Sequence, residues 1–346
     1  MRILFMIILA LAANAMASPE ADWEGVLALE NGPSKQPASV REAKLLALEH
    51  LAKQRQALKG FLDKYPQVDK TIDARIRLAS LQATSGKIDE KQSLIDEAMR
   101  QFQAIERDTA IPLEKRAEAG FRRVCLLLQS LDGMEDLRRG DFVNAAKNFE
   151  IRYPRDSRVP RLLVEVATIC DEDPSLKREL LERADSYPGN KSLKARIADD
   201  LKRLDLLGKP LDIRFSLLGG GEFNVVAMRG KVGVLVFWSA ESMPSILWMR
   251  NFRRALSKMP SRKIAIATMA LDAESGPVVE AISSLGINSW VNGFDGQGWG
   301  SPVARTCGIN ALPTVFLLDQ RGILRSINAR YSYASMINTL IVSPPR

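Results

Sequence analysis

The sequence predicts two unlike folded regions, an α-helical hairpin array followed by an α/β domain with helices on both faces of its sheet. Three observations carry this. No segment before about Leu207 alternates polar and apolar residues with a period of two. Gly208-Lys209-Pro210 then interrupts the pattern. Beyond it, short β-branched runs alternate with helix-length stretches. A chain of 346 residues is long enough for two domains. Its 46% hydrophobic and 26% charged content are those of an ordinary globular protein.

Met1–Ala17 stands apart. Arg2 precedes the apolar run Ile3–Leu11, and Ala15-Met16-Ala17 forms a small-residue cleavage site. This is the pattern of a secretory signal peptide. The mature chain is therefore expected outside the cytoplasm, periplasmic or otherwise extracytoplasmic, and soluble after cleavage. No cysteine follows the apolar run to take a lipid, and no later run approaches membrane-spanning length. Residues 18–38, with Asn31-Gly32-Pro33 and Pro37, show no periodicity and read as a flexible leader.

The helical region is expected over 39–208. Ser39-Val40-Arg41-Glu42 is a capping box. Leu45, Leu48, Leu51 and Leu58 follow on one helical face, and Tyr65-Pro66 ends the helix. Gly86 and Gly133 read as helix ends, and Pro112, Pro160 and Pro174 as first-turn residues. Phe61–Pro66 (F-L-D-K-Y-P) resembles Phe149–Pro154 (F-E-I-R-Y-P), and an alanine, Ala79 or Ala167, lies fourteen residues after each tyrosine. Tyr187-Pro188 falls 34 residues after Tyr153, the tetratricopeptide period, whereas Tyr65 and Tyr153 are 88 apart. A tetratricopeptide-like array and an irregular bundle both fit. The first would be an interaction surface.

The α/β region is expected over 209–346. Leu211–Leu218 and Phe223–Ala227 are strand candidates around Gly219-Gly220-Gly221. Val232–Trp238, apolar and uncharged, reads as a central strand buried on both faces. A helix over Met243–Met259, a strand over Lys263–Leu271 and a helix over Ser275–Leu285 follow. Thr314–Leu318 and Gly322–Asn328 form a strand pair, and Tyr333–Val342 a closing helix.

Charge is unevenly placed. Residues 18–208 carry 33 Lys+Arg and 33 Asp+Glu, whereas from Lys209 onward there are 15 against 8. Three cysteines, Cys125, Cys170 and Cys307, form no C-x-x-C, and their odd number leaves at least one thiol or an intermolecular bond. Cys125 and Cys170 lie in apolar helical patterns, as buried thiols or as a staple between helices. One histidine, His50, and three scattered cysteines make a zinc site improbable, and no cofactor motif is present. Ser242 has no base within its own domain, so a hydrolytic nucleophile is not expected.

Four landmarks carry a resemblance. Gly208-Lys209-Pro210 precedes Phe215-Ser216-Leu217. Arg229-Gly230-Lys231-Val232 leads into the central strand. Phe237-Trp238-Ser239-Ala240-Glu241-Ser242-Met243-Pro244-Ser245 lies over F-W-A-x-W-C-x-P-C. Gly308-Ile309-Asn310-Ala311-Leu312-Pro313-Thr314 lies over G-V-x-x-x-P-T. In this order the segment resembles the extracytoplasmic thioredoxin-like family, of TlpA/ResA-like or redoxin type. The resemblance implies a thioredoxin fold, a cis peptide before Pro313, and a groove facing Ser242–Ser245 that takes an extended peptide. Its peptide-binding residues would be Trp238, Ser242, Met243, Pro244, Ser245, Leu312 and Pro313.

Both positions that should be cysteine are serine. Disulfide exchange needs a thiolate at the helix start and a second thiol to resolve the mixed disulfide. A hydroxyl supplies neither, and Ser242 is better suited to capping the helix. Glu241 replaces the family's tryptophan, and Phe215–Gly221 lacks the buried acid that assists many relatives. Cys307, six residues before Pro313, is expected as a packed side chain; its alternative is a redox role with a partner thiol. Arg250, Arg254 and Lys258 recur every four residues beside Arg253, a basic stripe that suits solvent, an acidic partner or an anionic surface. Trp290, Trp299 and the Gly293–Gly300 loop fit a groove rim or core and turn positions.

The sequence thus predicts an exported, redox-inactive thioredoxin-like protein that binds a protein or peptide through the helical domain, the groove before Pro313, or both. It uses no metal or cofactor, and export leaves nucleic acid out as a partner. The alternative is a thiol-disulfide oxidoreductase or peroxidase-like enzyme acting through Cys307.

Overall fold

The computed structural model describes residues 18–33, 35–129 and 135–342. The expected signal peptide, Met1–Ala17, and the expected helix end at Gly133 lie outside them. The chain divides into two compact units between Asp156 and Ser157.

The first unit is all-helical. Its helices are α1 (Pro19–Ala28), α2 (Val40–Lys64), α3 (Thr71–Ile88), α4 (Gln92–Arg107), α5 (Leu113–Gln129) and α6 (Glu135–Arg152). Each packs on the next in sequence. The flexible leader expected over residues 18–38 is corrected by α1. Ser18 caps it, its Oγ accepting from Ala21 N at 3.1 Å, and Trp23 and Val26 bury against Leu58, Phe61 and Ala74. A ten-residue helix offers too few turns for periodicity to show, so its docking onto α2 decides its structure. His50 serves this junction: its Nε2 lies 2.6 Å from Leu29 O at the end of α1. The capping box forms, with Glu42 N donating to Ser39 Oγ at 3.1 Å and the Glu42 carboxylate accepting from Ala38 N at 2.7 Å. Both aromatic pairs of the suggested repeat are in contact, Phe61–Tyr65 at 5.2 Å and Phe149–Tyr153 at 5.0 Å between ring centroids. Ala79 is buried, and so is Gly86, which lies within α3 and not beyond its end. A Cβ at Gly86 would meet Ile95 Cγ1 at 2.9 Å, so this glycine lets α4 approach. Cys125 on α5 is half-buried.

The second unit joins three helices to the sheet domain. Helices α7 (Val159–Thr168), α8 (Pro174–Ser186) and α9 (Lys191–Asp205) come first, with Pro160 and Pro174 in first turns as expected. Ala167 on α7 and Cys170 just after it are buried. A two-stranded hairpin follows, β1 (Arg214–Ser216) and β2 (Glu222–Asn224), turning through Gly220 and Gly221 at positive φ. Then come β3 (Val232–Trp238), α10 (Met243–Leu256), β4 (Ile264–Ala270), α11 (Ser275–Leu285), β5 (Val291–Phe294), α12 (Pro302–Thr306), β6 (Thr314–Leu318), β7 (Leu324–Ser326) and α13 (Tyr333–Val342).

The five-stranded sheet has the order β5-β4-β3-β6-β7. Strand β3 is parallel to β4 and antiparallel to β6, and β4 is parallel to β5. This is the thioredoxin arrangement, with the fully buried β3 at its centre. One face buries Val234, Val236, Trp238, Met249, Phe252 and Ile337 in a single core. Strand β5 had no sequence signal. It is four residues long and contains Gly293, whose missing side chain makes room for the Phe215 ring: a Cβ there would lie 2.4 Å from Phe215 Cδ2.

Helices α7–α9 are fastened to this sheet. Arg203 of α9, buried, donates to Gly308 O at 2.7 Å and Asn310 Oδ1 at 3.2 Å, and pairs with Asp200. Asn310 Nδ2 donates to Arg196 O at 3.2 Å, and Lys202 Nζ to Arg305 O at 2.6 Å. On the other flank, Asp171 accepts from Asn328 Nδ2 at 2.8 Å and from buried Lys177 Nζ at 2.5 Å. Among the described residues no helix is long and apolar enough to cross a membrane.

Candidate functional site at the strand–helix junction

The C-terminal ends of the parallel strands β3, β4 and β5 meet at one edge of the sheet, where α/β proteins commonly place ligands. Register brings the start of β6 to the same edge: Phe237 pairs with Thr314, so Trp238 and Pro313 end their strands side by side. The Leu312–Pro313 peptide is cis.

A carboxylate shapes the turn that leaves β3. Asp272, buried just beyond β4, accepts from Ser239 Oγ at 2.7 Å and from Ala240 N at 3.0 and 3.1 Å. Glu241 N donates to Ser239 Oγ at 3.1 Å and reaches Asp272 Oδ1 at 3.4 Å. These bonds satisfy the amides that the turn would otherwise leave unpaired, and set the direction in which α10 starts. Phe215–Gly221 holds no acid, and the buried acid of this junction is instead Asp272, legible in the sequence only as an aspartate just beyond a parallel strand.

Ser242 is the N-cap of α10, with extended backbone and Oγ accepting from Ser245 N at 3.3 Å. Ser242 is half-buried and Ser245 wholly buried. Trp238 is also wholly buried, within the sheet core. Trp238 and Ser245 therefore offer a ligand no surface and form the floor of the junction. Its reachable surface is Glu241, Met243, Pro244 and Ala311, with part of Ser242 and part of Leu312. Pro313 is buried beneath Leu312 in sequence order, shaping the loop without being exposed.

Cys307 lies elsewhere. It caps the C-terminus of α12, and its side chain is buried. Burial pushes its thiol up to about 12, and Lys202 and Arg203, the nearby cations, offset only part of that shift. At neutral pH it is a protonated, packed side chain with no thiolate to offer. The backbone of Gly308 beside it runs at φ +62, and a Cβ there would sit 2.2 Å from Asp199 O of α9.

The basic stripe divides in two. Arg253 Nε donates to Gly286 O at 2.8 Å and closes the left-handed C-terminus of α11. Arg250, Arg254 and Lys258 are exposed. Of the aromatic rim candidates, Trp299 is exposed, whereas Trp290 packs on Phe252 at 5.7 Å and belongs to the core. Among the described residues no group of three His, Cys, Asp or Glu side chains is placed to hold a metal ion.

No family model matches the chain, and no curated protein matches it. Solved structures do, over the C-terminal part. An uncharacterized thioredoxin-like protein from Bacteroides vulgatus is 21% identical, with 38% of this chain and 86% of that one covered at a TM-score of 0.35. A thiol-disulfide oxidoreductase from Bacteroides fragilis is 19% identical over 37% of this chain and 96% of that one, at 0.33. A secreted Mycobacterium tuberculosis disulfide oxidoreductase is 17% identical over 38% and 96%, at 0.32. At these values no chemistry carries over from them.

Proposed function

We propose that the protein is an exported, thioredoxin-like binding module that holds a segment of another protein at the strand–helix junction and performs no thiol chemistry there. The observation that carries this reading is Ser242 as a helix cap and Ser245 as a buried floor residue, at the two positions where a dithiol would stand. The geometry suited to a ligand is present: a strand end, a helix start held by Asp272, and the loop before Pro313 at one sheet edge. The sulfur needed for exchange is not there. Cys307 does not replace it, because its buried thiol ionises only near pH 12.

Export rests on the character of Met1–Ala17. In the tetratricopeptide-like reading, the sequentially packed helices of the first unit supply a second binding surface. The test is turnover. The purified mature protein is expected not to accelerate the reduction of insulin disulfides by dithiothreitol beyond the rate of the reductant alone. Acceleration that disappears in Cys307→Ala would overturn the reading in favour of an oxidoreductase.

A further inference from the structure

Helix α10 presents an unusual outer face. Met243, Leu247, Arg250 and Arg254 fall within an arc of about 60° at 100° per residue, opposite the buried Phe252 and Ser245; Lys258 follows in the turn after the helix. The stripe is about 17 Å long within α10 and changes character along its length. Its first part is apolar: Met243 is 65% and Leu247 49% exposed. Tyr331, 70% exposed, belongs to the turn that abuts the same helix, where Trp248 Nε1 donates to Arg330 O at 2.7 Å. Its second part is cationic, and among the described residues Arg250, Arg254 and Lys258 form no salt bridge.

That cationic half has little compensation along its own chain. Between Glu241, ahead of the apolar end, and the buried Asp272, the chain holds six Lys+Arg and no Asp or Glu. The helix dipole favours cations in the last turn, which accounts for Arg254 in part, and Arg253 caps α11. Neither accounts for Arg250 in mid-helix, nor for the exposure of Leu247 one turn before it. Elsewhere the protein pairs its surface charges at i,i+4, as in Arg122–Glu118 and Arg183–Glu179.

We infer that this face docks an acidic protein segment, with an apolar side chain seated at Met243, Leu247 and Tyr331, and carboxylates spaced about 6 Å apart against Arg250, Arg254 and Lys258. The inference rests on the reading of the junction as a protein-binding site and names the chemistry of its partner. A lipid surface fits less well. Membrane-seated faces ring an apolar insert with cations, whereas here the two lie end to end along one line. A linear segment with an apolar end and an acidic end matches that order.

The test uses the mature protein and a fluorescent helix-forming peptide with two leucines followed by glutamate at every fourth position, which sets the carboxylates about 6 Å apart. Its controls are the same peptide with lysine for glutamate, and phosphatidylserine vesicles. The glutamate peptide is expected to bind and the lysine peptide not. Arg250→Glu, Arg254→Glu and Lys258→Glu together should weaken binding by about thirtyfold or more, with a melting temperature lowered by no more than about 5 °C, because all three are exposed and only the two at the C-terminal end of α10 meet its dipole. Affinity should also fall steeply with added salt. Failure of the glutamate peptide to bind, equal binding by the triple variant, or binding to vesicles alone overturns the inference. Photo-crosslinking at Met243 in the native envelope separates the two readings. A crosslink retained in the triple variant sinks the acidic-partner inference and leaves protein binding standing, whereas no crosslink in either protein sinks both.

Discussion

Asp272 and Cys307 show how burial assigns opposite parts to two reactive side chains. The Asp272 side chain lies buried among donors, accepting from Ser239 Oγ and Ala240 N. Replacing it by alanine leaves those donors unpaired, and Asp272→Ala should lower unfolding free energy by about 2–3 kcal/mol in urea titrations. A loss under about 0.5 kcal/mol would mean that the turn holds without it. Cys307 has no such donors, and burial raises its thiol to about 12. Because the folded-state value lies above the unfolded one, the protonated thiol's contribution is whole below about pH 8.5 and is lost as pH climbs toward 12. The stability difference between wild type and Cys307→Ala should therefore shrink by about 3 kcal/mol from about pH 8 to about pH 11. A constant difference would show a thiol that already ionises freely. The sequence placed Cys307 correctly as a packed residue from its position before Pro313. It did not reveal Asp272, because the partners that give this aspartate its role lie more than thirty residues away.

Among the elements, those whose pattern is set locally were legible and those set by a neighbour were not. Strand β3, helix α11, strand β6 and helix α13 have the predicted ends, because unbroken β-branched runs and periodic apolar stripes specify them. Helix α1 and strand β5 were invisible for the same reason in reverse: one exists by docking Trp23 onto α2, the other by pairing with β4 around the Phe215 ring. The loop joining α12 to β6 is likewise governed from outside. Gly308 touches the backbone of α9 so closely that a methyl group would overlap Asp199 O, and its φ of +62 suits glycine. Gly308→Ala is expected to cost about 3 kcal/mol or more in thermal unfolding, well above the ~1 kcal/mol of a left-handed alanine in open space. A cost at the lower figure would show that α9 yields.

At the scale of the molecule, α7–α9 and the sheet domain pack as one compact unit. Arg203, Asn310, Asp171 and Asn328 bind the two together on both flanks of the loop before Pro313. A fragment of residues 157–346 should unfold in one cooperative transition. A fragment of residues 209–346 leaves the Gly308 and Asn310 groups without their α9 partners and should lose that cooperativity, read by coincident circular dichroism and fluorescence transitions. Equal cooperativity in both would make the helices mere additions. This stapling backs the sheet edge where β3 ends and β6 begins. The proposed role, holding a protein segment at the outward edge without exchanging disulfides, is tested by site-specific photo-crosslinking from Met243 in cells that make the protein, resolved with and without reductant. A discrete crosslinked species that survives reduction and persists in Cys307→Ala is expected. An adduct that reductant releases and Cys307→Ala abolishes, or no crosslink at Met243, would overturn that role.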